Sequence, residues 1–149
     1  MKRFTLNEPP TLTAEELIDD FEFAETKEER LKLIIELGRE LPDLPDELRR
    51  DEFKVQGCQS QVWLVPKVVE ADGQATKIVF QADSDAHIVK GLVGILVMLL
   101  SGKSPQEILD FDLRGLFDTL KLENHLVPAR SNGLHSMVRK IHEIAVSVR

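Results

Sequence analysis

The 149-residue chain has a single cysteine, Cys58. No internal disulfide can form, and the Met1-Lys2-Arg3-Phe4 start shows no secretory signal, so a reducing cytoplasm is the expected compartment. One thiolate is too few for an iron–sulfur scaffold. The histidines His87, His125, His135 and His142 show neither zinc-finger spacing nor a His-Glu-x-x-His pattern, so no metal is expected. Long apolar runs are also lacking. The stretch 88–100 is too short to span a bilayer and contains Lys90, Gly91 and Gly94; it reads as a buried helix, and no membrane contact is expected. Basic charge is in deficit, 19 Lys and Arg against 26 Asp and Glu, which argues against a nucleic-acid partner. An acidic domain can still dock on a basic protein surface. No phosphate-cradling loop is present, because Gly91-Leu92-Val93-Gly94 falls inside the apolar helix, where small residues let another helix approach. No repeat, biased tract or long linker divides the chain. Residues 1–149 read as one domain, with 1–12 a flexible N-terminal tail.

What is present reads as α+β. Thr13-Ala14-Glu15-Glu16 and Thr26-Lys27-Glu28-Glu29 are capping boxes that open two N-terminal helices, and Pro42 and Pro45 end the pattern. Three strands are expected, at 53–55, 61–69 and 76–82, with Asp72-Gly73 turning the second into the third. Pro66 removes a ladder donor, so its strand should lie at an edge or be bulged. Asp83, Ser84 and Asp85 are cap candidates for a helix from 86 to about 100. Ser104-Pro105-Gln106-Glu107 opens another, and a short helix follows through Leu113, Leu116, Phe117 and Leu120. Residues 127–133 read as a loop, and a last helix carries Leu134, Met137, Val138, Ile141, Ala145 and Val148 at helical spacing. The expected architecture is a small antiparallel three-stranded sheet packed with helices.

Cys58 falls at the first turn of this meander, in Val55-Gln56-Gly57-Cys58-Gln59-Ser60-Gln61-Val62-Trp63. A thiol at a loop tip has little apolar surface to fill, which favours chemistry over packing, with a structural thiol as the alternative. Gly57 allows a positive φ or the close approach of another backbone. A Cys-His nucleophile pair stays open, since sequence alone does not say which histidine reaches Cys58. Acidic residues such as Glu15, Glu16, Glu28 and Glu29 read as capping and solvated-face groups, and Trp63 as a core or strand-face anchor.

Several blocks together resemble the SufE family of sulfur acceptor proteins. They are Gly57-Cys58-Gln59-Ser60-Gln61-Val62-Trp63, Asp83-Ser84-Asp85-Ala86 with Ile88-Val89-Lys90-Gly91-Leu92, and Pro128-Ala129-Arg130-Ser131-Asn132-Gly133-Leu134 with Met137-Val138-Arg139. Ile34-Ile35-Glu36-Leu37-Gly38 with Leu41-Pro42 fits as well. The resemblance implies a fold similar to IscU-type scaffolds. It implies a carrier that takes persulfide sulfur from a cysteine desulfurase onto Cys58, stimulates that enzyme and passes the sulfur to an iron–sulfur scaffold protein. Arg130 falls on the family's arginine, expected to stabilise the thiolate or persulfide, and Asp85 on its loop acid. Gly57, Gln59, Ser60, Gln61 and Asp85 are the expected partner-binding residues. No cofactor is implied on this chain, because pyridoxal phosphate belongs to the donor, and a monomer or weak homodimer is expected. Ala129 departs from a commoner Ser, and the N-terminal tail is longer. A single cysteine suits the task, since a second nearby thiol would resolve the persulfide into a disulfide. The thiol is expected to turn inward between transfers. A Cys-dependent small-molecule enzyme and a purely regulatory binding module are the competing classes.

Overall fold

The computed structural model describes residues 9–70, 73 and 76–149. Helices α1 (Ala14–Phe23) and α2 (Lys27–Arg39) open it. At α1 the capping box is complete: the Thr13 side chain accepts from the Glu16 amide and the Glu16 carboxylate accepts from the Thr13 amide. At α2 the box is half-formed. Thr26 caps the Glu29 amide, but the Glu29 carboxylate takes the Glu25 amide instead. Two 3-10 turns, Asp46–Leu48 and Asp51–Phe53, lead to strands β1 (Val62–Val69) and β2 (Lys77–Ser84). Helices α3 (His87–Leu100), α4 (Pro105–Asp110) and α5 (Leu113–Leu120) follow, then a 3-10 turn Leu122–His125 and the long α6 (Pro128–Val148).

The sheet has two strands among the described residues, not the expected three. β1 and β2 pair antiparallel, from Val62 opposite Ser84 to Val69 opposite Lys77. The segment at 53–55 does not extend this ladder. It leaves a 3-10 turn, makes one bridge between Lys54 and Trp63, and turns away at Gly57. Of the expected hairpin turn, Asp72 lies outside the described residues. Pro66 sits as expected at an edge. The Val55 amide donates to the Val62 carbonyl, so the even positions of β1 turn their backbone groups away from β2, and the missing N–H at 66 removes no ladder bond.

The two sheet faces are covered differently. Val62, Leu64, Ile78, Phe80 and Ala82 face the main core with the helices. Trp63 and Val65 point the other way, under Leu44, Leu48 and Phe53 of the segment that precedes the cysteine loop. Helix α3 forms the centre of the core, with every residue after Lys90 buried. Its glycine approach is close: a Cβ at Gly38 on α2 would stand 2.7 Å from the Gly91 nitrogen, and one at Gly91 would collide with the Ile34 carbonyl. Small residues therefore let α2 and α3 meet backbone to backbone, as the apolar pattern predicts.

Two helix starts differ from expectation. Asp83 and Ser84 belong to β2, and α3 begins after Ala86, which gives no side-chain cap; the Ser84 hydroxyl accepts from the Ala86 amide instead. Residues 128–133 are not loop. They form the first turns of α6, with Pro128 at a position where its missing N–H is harmless. No helix among the described residues is long and apolar enough to cross a membrane.

Candidate functional site

The loop from Gln56 to Gln61 is shaped at both ends. At its start Gly57 has φ +95, a conformation that disfavours any side chain, and a Cβ there would also run into the Ser136 hydroxyl of α6. At its end Asp85 holds Gln61 by three bonds. The Asp85 Oδ1 accepts from the Gln61 amide at 3.0 Å, its Oδ2 from the Gln61 side-chain amide at 3.2 Å, and the Asp85 amide donates to the Gln61 carbonyl at 3.3 Å. Asp85 is thus a brace for the cysteine loop, and not a cap of α3.

Between these ends the Cys58 side chain turns inward and is half-buried against the core. Its Sγ donates to the Gly133 carbonyl at 3.6 Å, and a Cβ at Gly133 would stand 3.4 Å from the sulfur. Burial pushes the Cys58 thiol above its ordinary value. A hydrogen bond donated by the thiol also favours the protonated form. Both effects disfavour the thiolate, the nucleophilic form, while the sulfur rests in this seat.

A cavity of about 330 Å³ opens beside the sulfur. Cys58, Gln59 and Ser60 form one wall. Val89 of α3, Val127 at the N-terminal edge of α6, and Arg130, Gly133 and Met137 within it line the cavity as well. Arg130, exposed, makes no side-chain hydrogen bond or ion pair among the described residues. Helical periodicity places Arg130, Gly133 and Met137 on one face of α6, so one helix supplies the cation, the carbonyl and the apolar wall. Ala129 lines the same cavity.

The structure therefore brings together Cys58, Gln59, Ser60 and Arg130, with Gly57, Gln61 and Asp85 framing the loop. The inward turn expected of the thiol is present. No histidine lines this cavity, and no described histidine hydrogen-bonds Cys58. His135 pairs with Glu123 at 2.7 Å and His125 approaches Arg30. A wider depression of about 890 Å³ lies elsewhere, along α5 and α6, and includes His135 and His142 but no cysteine. Among the described residues, no three His, Cys, Asp or Glu side chains stand close enough to hold a metal ion.

Sequence reasoning missed the parts that α6 contributes to the seat, Gly133 and Ser136. The signal was Pro128 itself: read as a first-turn proline, it starts the helix early enough to put Arg130, Gly133 and Met137 on one face.

Known proteins resemble this chain over most of its length. The family model described as "SufE: Fe-S metabolism associated domain" matches residues 15–145. A protein of Rhizobium meliloti (strain 1021) named an uncharacterized SufE-like protein is 45% identical over 127 residues, covering 85% of this chain and 90% of its own. A SufE-like protein of Rhizobium etli is 46% identical over 131 residues, covering 88% of each chain. Among solved structures, a hypothetical protein from Thermus thermophilus superposes with a TM-score of 0.66 at 22% identity, over 90% of this chain and 93% of its own, and shows the shared fold.

Proposed function

Since the chain belongs to the SufE family, we propose that it is a sulfur carrier that accepts persulfide sulfur from a cysteine desulfurase on Cys58 and delivers it to an iron–sulfur assembly scaffold. One observation carries this reading: a lone thiol, seated inward on the Gly133 carbonyl, shares a cavity with Arg130, whose side chain has no partner among the described residues.

The step needs no outside oxidant. The Cys58 thiolate attacks the outer sulfur of the donor's persulfide, a new S–S bond forms, and the donor's own cysteine leaves as thiolate. Cys58 then carries the persulfide, whose anion Arg130 stabilises from the cavity rim. Burial and the bond to Gly133 disfavour the thiolate, so the loop leaves its seat on docking; exposure removes the burial that disfavours the thiolate. On retraction the cavity shields the outer sulfur from solvent thiols. Gly57, Gln59, Ser60 and Gln61 form the surface that the donor meets. Pyridoxal phosphate belongs to that donor, and this chain needs no cofactor of its own.

Intact mass spectrometry after incubation with a cysteine desulfurase, pyridoxal phosphate and cysteine tests the proposal. A mass gain of one or more sulfur atoms is expected, reversed by reductant and absent in Cys58→Ser. No gain with any of several desulfurases would overturn it.

A further inference from the structure

The outer face of the sheet is covered by a strap, residues 44–55, that runs directly into the cysteine loop. Apolar contact holds it along its length: Leu44, Leu48 and Phe53 lie over Trp63 and Val65. A buried polar anchor adds to this at Arg49. Asp83 sits opposite Trp63 in the ladder, and its side chain is only 6% exposed. It accepts a hydrogen bond from the Arg49 guanidinium, pairs with the Lys90 ammonium at 3.4 Å, and accepts from the Ser84 amide at 2.7 Å. The Arg49 guanidinium meanwhile lies over the Trp63 ring, 5.2 Å from its centroid. A planar fork that binds a carboxylate at its edge and an aromatic ring on its face fits only in one orientation.

These contacts tie together the parts that frame the thiol. Arg49 belongs to the strap, nine residues ahead of Cys58. Asp83 lies two residues ahead of Asp85, which holds the far end of the cysteine loop. Lys90 follows Val89, which lines the cavity beside the sulfur. Downstream of Arg49, the Lys54–Trp63 bridge and the bond from the Val55 amide to the Val62 carbonyl fasten the end of the strap to β1, next to the loop.

We propose that Arg49 is a positioning residue for Cys58: docked on Asp83 and Trp63, it pins the strap and thereby sets how firmly the thiol is held in its seat on α6. The inference deepens the carrier reading, since it rests on Cys58 being the sulfur-accepting thiol. When the pin is released, the strap loosens around position 49, the loop loses one of its upstream tethers, and the thiol spends more time outside its seat. Arg49 does not touch the sulfur; it acts through the position of the loop.

The test needs no sulfur donor, so its failure leaves sulfur acceptance itself untouched. Alkylation of Cys58 by iodoacetamide is followed across a pH series for the full chain, for Arg49→Met and for Arg49→Lys, with Arg114→Met on α5 as a remote control. Each variant's cooperative melting establishes that it is folded. Arg49→Met is expected to react about tenfold faster near neutral pH, with the midpoint of its pH profile displaced toward that of a free thiol. Arg49→Lys keeps the charge without the fork and is expected to fall between the two. Arg114→Met is expected to match the unaltered chain. A folded Arg49→Met with the rate and profile of the unaltered chain overturns the proposal. Should Arg49→Met fail to fold, Arg49→Lys decides in its place, and an unchanged rate there overturns the proposal equally.

Discussion

The Cys58 Sγ donates to the Gly133 carbonyl at 3.6 Å, so the thiol rests on the second turn of α6. Burial pushes its pKa up, and the contact itself needs the proton on sulfur. Alkylation of the folded protein at neutral pH is therefore expected to be slower than that of free cysteine. The midpoint of its pH profile should lie above the ordinary thiol value of about 8.5. Urea should raise the rate to that of an unstructured peptide. Stability follows the same sign: the folded state holds this proton more tightly, so its contribution is full below about pH 8.5 and fades as pH rises toward the folded-state value. A folded-state alkylation rate equal to that of free cysteine would show that the seat does not shield the sulfur.

Asp85 holds the far end of the same loop through two side-chain bonds to Gln61. It is exposed, so Asp85→Ala should cost the fold little, about 1 kcal/mol. The loop should respond more. Amide exchange at 56–61 is expected to accelerate with the rest of the chain unchanged, and Cys58 alkylation to rise. Asp85→Asn keeps one acceptor and should give a smaller effect. Unchanged exchange at 56–61 in Asp85→Ala would mean that the brace is idle.

Neighbouring glycines of α3 should behave oppositely. A Cβ at Gly91 would collide with backbone, the Ile34 carbonyl, which cannot turn aside, whereas one at Gly94 would rest 3.4 Å from the Leu41 side chain. Gly91→Ala forces α2 and α3 apart and is expected to cost about 3 kcal/mol or more. Gly94→Ala fills ordinary contact distance and gains helix propensity worth up to about 1 kcal/mol. Thermal melting separates them. At about 2–4 °C per kcal/mol for a chain of this size, Gly91→Ala should lower Tm by about 6 °C or more and Gly94→Ala should leave it level or raise it. Equal losses would contradict the packing described for this crossing.

The legible parts of the sequence were those set by local chemistry. Thr13 and Glu16, or Ser104 and Glu107, announce helix starts because cap and acceptor lie within one turn, and both boxes form. Pro66 announced an edge or a bulge, because a missing N–H is tolerated at such places in a sheet, and the structure shows the edge. The inward turn of Cys58 followed from what a carried persulfide requires. Harder to read were features set by distant parts. Lys54 and Val55 have strand-like neighbours, yet Gly57 must meet Ser136 on α6, and this turns the segment away after one bridge. Asp83 and Ser84 look like caps, but Arg49 and Lys90 draw Asp83 to the end of β2. Ser131, Asn132 and Gly133 look like loop by composition, yet they lie within α6, where Gly133 packs against Cys58.

His125 gives the last prediction, one of stability and not of sulfur chemistry. Its ring lies buried in the turn after α5, with Nε2 3.5 Å from the Arg30 guanidinium and Nδ1 without a partner among the described residues. Arg30 is itself fixed there, donating to the carbonyls of Phe21 at 3.2 Å and Ala24 at 3.0 Å where α1 ends. Burial lowers the pKa of His125, and the charges of Arg30 and Lys27 lower it further. The unfolded chain therefore binds this proton more readily than the folded one, and stability falls as pH drops below the unfolded value of about 6.5 until the folded-state pKa is passed. Between about pH 7.5 and about pH 5.5 the unaltered protein should lose more thermal stability than His125→Gln, which has no proton to take up. Because many carboxylates also titrate in the lower part of that range, the informative quantity is the difference between the two slopes. Parallel slopes would show that His125 is accommodated in its charged form, with Arg30 moving aside.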